Sequence, residues 1–245
     1  MIVSADTELQ PPAPRSLPAG LGAMLAPAAG MERQARVGKT WPAFLIALAC
    51  ALLAAFAQAT RVDATSATLQ KLEKDQKLQG MSEKQIEDET TNTKRLFQVG
   101  RVASGAISAP AFLLLGALSV VVLVWLMQGK VKGRAVFPVA AAAMLPDALA
   151  NLLDAISAFE QSSLPLEGAR LAPRTLSAAF AALGHPFAEP WVRLGNALDF
   201  FSLWGAVMMA FGIAAAGDVA PRKALWFTLC AWVLWRLLVA VGMGG

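Results

Sequence analysis

AVFPVAAAAMLPDALANLLDAISAF, residues 135–159, is nearly as apolar as a membrane span, yet it carries Pro138, Pro146, Asp147, Asn151 and Asp154. Whether it crosses the bilayer separates a four-span chain from a five-span one. A crossing takes about 20 residues of helix, and the run is long enough. Pro146 removes a helix donor and predicts a kink there, with backbone groups freed nearby. The alternative is a re-entrant or buried element; a kinked third span is the reading adopted here.

Four other runs are long enough to cross: 41–59, 103–127, 197–216 and 224–243. Composition agrees. Of 245 residues 56% are hydrophobic and 16% charged, against about a quarter charged in soluble domains. The expected fold class is therefore an all-α integral membrane protein with five transmembrane helices. The formal charge of +4 does not imply a nucleic-acid partner, because the basic residues are scattered and flank apolar runs. Cys50 and Cys230 lie within apolar runs and suit packing better than a disulfide or a metal.

Residues 1–40 are rich in Pro, Ala and Gly and lack a signal-peptide pattern. They read as a mobile cytoplasmic tail in which GLGAMLAP forms at most an interfacial turn or short helix, ahead of a membrane domain over 41–245. Arg33, Arg36 and Lys39 precede span one, Lys130, Lys132 and Arg134 lie between spans two and three, and Arg222 and Lys223 lie between spans four and five. These positions predict a cytoplasmic N-terminus and an external C-terminus.

Residues 60–102 form the one strongly charged segment, with eight basic and seven acidic residues. Leu69, Leu72 and Leu78 give a sparse apolar face, Gly80 is a helix stop, and Ser82 with Gln85 fits a capping box. A short external helical hairpin after the first span is expected. In the second external loop, 160–196, Leu176, Phe180 and Leu183 recur at helical spacing before Gly184 and Pro186. That helix is expected along the membrane surface.

Asp147, Asn151 and Asp154 share one helix face. With span three starting near Arg134, Asp147 falls about 20 Å along it, near mid-depth. Asp199 at the outer start of span four and Arg236 in the outer half of span five complete an intramembrane polar cluster. A charge at the bilayer centre costs about 2.5 to 3.5 kcal/mol on insertion scales, so these groups face the interior. Two readings stay open. One is a proton or cation relay, or a polar substrate cavity; the other is an interhelical pair between Arg236 and Asp154 or Asp199 that fixes helix register.

Ala43, Ala47, Ala51 and Ala55 repeat at intervals of four, as do Gly212 and Ala216, which lets helices approach closely within the bundle or in a dimer. Trp204, Trp226, Trp232 and Trp235 read as interfacial or packing residues, and His185 as a loop histidine. No phosphate loop, nucleophile elbow, zinc-binding helix or paired-glycine nucleotide motif is present, so neither an enzyme nor a cofactor or metal is expected.

The pattern resembles the bacterial branch of the Yip (Ypt/Rab-interacting protein) domain family of five-span membrane proteins. AMLAP (23–27) followed by a basic segment and TWPAFLIALA (40–49) is similar to the approach to that family's first span. GMSEKQIEDETTNTKRLF (80–97) is similar to its charged loop, and ALDFFSLWGAVMMAFGIAAAGDVAPRKALWFTLCAWVLW (197–235) to its final hairpin. The DLYGP-type element of eukaryotic members is absent, so GTPase binding is not carried over. The resemblance implies a membrane location and a fold, with no catalytic residue to transfer. The expectation is a multi-pass protein of a bacterial inner membrane, acting on a membrane-protein partner or a second copy as a scaffold or membrane-organising factor. A small transporter or channel component is the alternative.

Overall fold

A computed structural model describes residues 19–37, 39–63, 65–74, 81–165, 175–188 and 191–242. Residues 1–18 of the expected tail, Leu78, the Gly80 stop and the C-terminal Gly245 lie outside these.

The first span is α3 (Trp41–Arg61), opened by Pro42 in its first turn, where a missing donor costs nothing. It packs along α5 (Glu83–Leu126) and α7 (Leu145–Glu160). Ala43, Ala47 and Ala55 of its small-residue row are buried. A Cβ on Gly105 of α5 would stand 2.8 Å from Ala55 Cβ, so this row brings two helices of one bundle together. Beyond α3, β1 (Val62–Asp63) pairs in parallel with β2 (Leu164–Pro165), which ties the C-terminal ends of α3 and α7.

The hairpin expected after the first span has its turn, residues 75–80, outside the described residues. Its first arm is α4 (Thr65–Lys74). The second arm is not a separate helix, because the chain entering at the Ser82/Gln85 capping box runs on without a break as the 44-residue α5. The box is present, with Gln85 N–H donating to Ser82 Oγ and Ser82 N–H to Gln85 Oε1 at 2.8 Å. Between Glu83 and Ala103 there is no proline, and Gly100, the poorest helix former there, costs about 1 kcal/mol and does not stop a propagating helix. At 1.5 Å per residue α5 is about 66 Å long, twice a hydrocarbon core of about 30 Å, so its first twenty residues stand clear as a stalk. Ser82→Ala should loosen the stalk's first turn by about 1 kcal/mol. Amide exchange at residues 83–87 several-fold faster, with the span unaffected, is the expected readout; unchanged exchange would mean the cap does not hold that turn.

The third apolar run becomes two helices, α6 (Gly133–Ala143) and α7, meeting at Met144. The interruption is the single residue Met144, two residues before Pro146, and its backbone stays in the right-handed helical region at φ −80° and ψ −13°. A proline ring clashes with the carbonyl four residues back, here Ala142, whereas in the first turn of a new helix it is unopposed. Together α6 and α7 form the most buried of the candidate spans.

The fourth span also differs at its start. Residues 191–197 form α9 (Trp191–Ala197), and Asp199 caps α10 (Phe200–Gly217), so the span begins at Phe200 and not at residue 197. α8 (Leu176–Ala182) precedes α9, leaving Leu176, Phe180 and Leu183 exposed, and Gly184 stops it with φ +81°. The last helix is α11 (Pro221–Gly242). Among the described residues four helical segments are long and apolar enough to cross a membrane: α3, α5, α6 with α7, and α10.

Residues 19–37 of the expected tail form α1 (Ala19–Leu25) and α2 (Pro27–Val37), and α2 packs on α10 and α6. Ala23 and Met31 are fully buried and Gln34 nearly so. The two helices fold back so tightly that a Cβ on Gly30 would lie 2.2 Å from Ala23 Cα. Ala and Gly backbones that approach this closely bury area with almost no side chain, which is why the segment looks like a tail by hydropathy. The central core joins Met31 to Val120 and Val124 of α5, Val139 of α6, and Met208 and Ile213 of α10.

Candidate functional site

The polar residues divide between two places. On α7, Asp147 is exposed, Asn151 half-buried and Asp154 buried. Because the helix restarts after Met144, Asp147 lies in the first turn of α7, at the positive end of the helix dipole. The break that the proline causes thus supplies a local reason for a carboxylate in an apolar run. Asp154 sits beside Ala155 and Ala158, which pack against Ala54 and Ala57 of α3 and against Leu164. Asp147, Asp154 and Asp199 each engage a partner.

The second place is where the N-terminal end of α10 meets the C-terminal half of α11. Asp199 Oδ1 accepts from Phe201 N–H at 2.9 Å and Ser202 N–H at 3.2 Å, satisfying two donors that a helix N-terminus leaves open. Ser202 Oγ then accepts from Trp232 Nε1 at 2.9 Å and from the Arg236 guanidinium. That guanidinium also lies 5.7 Å from the centre of the Trp232 ring, within cation–π range. The expected pair is therefore indirect: Arg236 meets Asp199 through Ser202 in place of a carboxylate contact. Ser202 serves both, its backbone N–H donating to the Asp199 cap and its hydroxyl accepting from α11, which ties α11 to α10. Asp199 also bridges antiparallel to Thr175, whose side chain caps α8 by accepting from Ala178 N–H at 3.2 Å.

Sequence reasoning missed Ser202, Thr175, and a third clip between Gln58 and Arg101. Arg101 Nε donates to Gln58 Oε1 at 2.8 Å, and Gln98 Nε2 donates to Ala59 O at 3.0 Å, fixing the base of the stalk to the end of α3. Gln58 sits three residues before the end of an apolar helix, and an amide in that otherwise apolar run is the signal the sequence carries. The tryptophans do not converge: Trp204 lines an apolar pocket with Met24, Leu149, Phe200 and Phe201, while Trp226 and Trp235 are exposed. His185 is exposed in its loop. Among the described residues no group of three or more His, Cys, Asp or Glu side chains could hold a metal ion.

Two of these clips join neighbouring helices, Arg101 to Gln58 between α5 and α3 and Arg236 to Ser202 between α11 and α10, while Asp199 caps its own helix, and the central core is apolar. A family model described as the Yip1 domain matches residues 21–243. Comparison with curated proteins and with solved structures yields no match.

Proposed function

The chain belongs to the Yip1 domain family, and from that premise we propose that it is a non-enzymatic scaffold of a bacterial inner membrane, binding a membrane-protein partner or a second copy. Its apolar helices make it a multi-pass membrane protein. In this reading α11 is the fifth span: 22 residues long, with Trp226, Leu234, Trp235 and Leu238 turned outward as lipid-facing side chains. The N-terminus is cytoplasmic and the C-terminus external. An impermeant thiol reagent should then label Glu87→Cys in intact cells and Lys130→Cys only after permeabilisation, in a background lacking Cys50 and Cys230; the opposite pattern inverts the topology.

The observation that carries the proposal is the stalk. A continuous helix anchored in the bundle holds a charged surface well outside the membrane, with Glu83, Lys84, Glu87, Asp88, Glu89, Lys94 and Arg95 all exposed. A charged helix held stiffly by its own span and pinned by Gln58 and Arg101 meets a partner at little entropic cost. The test is photo-crosslinking from Glu87 and Thr91 in native membranes. Discrete adducts from the stalk, lost when the stalk charges are neutralised, are expected. A stalk that yields no adduct at either position ends the partner-binding reading.

A further inference from the structure

The loop joining α5 to α6 and the loop joining α10 to α11 are hydrogen-bonded side by side. Lys130 N–H donates to Gly217 O at 3.0 Å, and Lys132 N–H donates to Ala216 O at 2.8 Å. The two paired loops carry five cations, Lys130, Lys132, Arg134, Arg222 and Lys223, against one carboxylate, Asp218. Two of the cations hold the loops together. Lys132 Nζ reaches Asp218 Oδ1 at 3.1 Å, and Lys223 Nζ reaches Met127 O at the C-terminal end of α5 at 2.9 Å. The other three are exposed and, among the described residues, their side chains make no hydrogen bond or ion pair.

Trp125, two residues before Met127 on α5, and Trp226, three residues after Lys223 on α11, are 72% and 63% exposed. The Lys223 contact to Met127 O brings these two helix ends together. Tryptophan at such a level marks the headgroup region of a bilayer. The site therefore offers unengaged cations at headgroup depth and apolar flanks below them, a layout that matches an anion carrying acyl chains.

We propose that the paired basic loops are a docking site for an anionic phospholipid, its phosphate held by Lys130, Arg134 and Arg222 and its chains lying between Trp125 and Trp226. The proposal rests on α5, α10 and α11 crossing the membrane, but not on which side the loops face. Each basic residue near an anionic surface contributes a factor of about five in affinity, so removing three weakens binding on the order of 100-fold.

The test is native mass spectrometry of the full chain in detergent, titrated with phosphatidylglycerol and with phosphatidylcholine. Selective retention of phosphatidylglycerol is expected, weakened on the order of 100-fold in Lys130→Gln/Arg134→Gln/Arg222→Gln. It should be unchanged in Lys84→Gln/Lys94→Gln/Arg95→Gln, which removes as many charges from the stalk. Equal loss in both triple variants, or no preference between the two lipids, overturns the site. Displacement by millimolar inorganic phosphate overturns the lipid as its ligand. Retention of neither lipid overturns the site, and is told apart from failure of the membrane-spanning reading by alkaline carbonate extraction of native membranes, which leaves a spanning chain in the membrane pellet.

Discussion

Gly212→Leu is expected to destabilise the bundle by about 3 kcal/mol, the upper part of the range for overpacking a core. A Cβ at this position would lie 2.3 Å from Val139 Cγ1 and 2.7 Å from Met31 Cε. Both neighbours are fully buried, so neither can move aside without opening a void elsewhere. Met31 is the flexible one, and its displacement would loosen α2 from α10. Val139→Ala in the same chain should recover about half of the loss, since it removes the nearer clash while leaving a small cavity of its own. Unfolding in mixed micelles, followed by tryptophan fluorescence, measures both. A leucine tolerated without loss would mean that α2, α6 and α10 do not meet at Gly212.

Asp199→Ala should cost about 2 kcal/mol, because two N–H donors at the start of α10 lose their acceptor and the Ser202 clip to Arg236 loses its anchor. Asp199→Asn separates the two contributions. Asparagine caps as well as aspartate, so a near-native stability would assign the effect to the cap, whereas a loss equal to that of alanine would assign it to the charge facing Arg236. Arg236→Met keeps most of the side-chain volume and removes the guanidinium. Since both groups act on Ser202, the double variant Asp199→Ala/Arg236→Met should cost less than the sum of the single ones by about 1 kcal/mol. Strict additivity would show that the two residues are independent and that Ser202 does not join them.

The apolar runs were legible in the sequence because a span must be apolar over its whole length, whatever packs against it. Helix starts were legible where a side chain caps them locally, as at Ser82. Continuity was not. A charged segment between two spans suggests a loop, yet nothing between Glu83 and Ala103 breaks a helix that has already begun. The burial of α1 and α2 was hidden for a different reason: Gly30 and Ala23 form their contact through backbone, and among the described side chains of PAAGMERQARV the one large apolar group in the core is Met31.

In the polar cluster the sequence pointed to the acids and the arginine but not to what joins two of them. An arginine in an apolar helix suggests a carboxylate partner, and the hydroxyl at Ser202 becomes visible only when α10 and α11 lie side by side. Asp147 changed its meaning most. Within one long helix it is a bare charge near mid-membrane, which calls for a functional explanation. At the start of a new helix, after the break at Met144, it occupies a position that favours an acid.

The claim that these polar groups fasten helices, and do not line a path, is tested most directly by proton and cation flux into liposomes holding the purified chain. Flux equal to that of protein-free liposomes is predicted, with Asp147→Asn and Asp154→Asn leaving it unchanged. Protein-dependent flux that either substitution abolishes would contradict the account and make the α7 carboxylates part of a transport pathway.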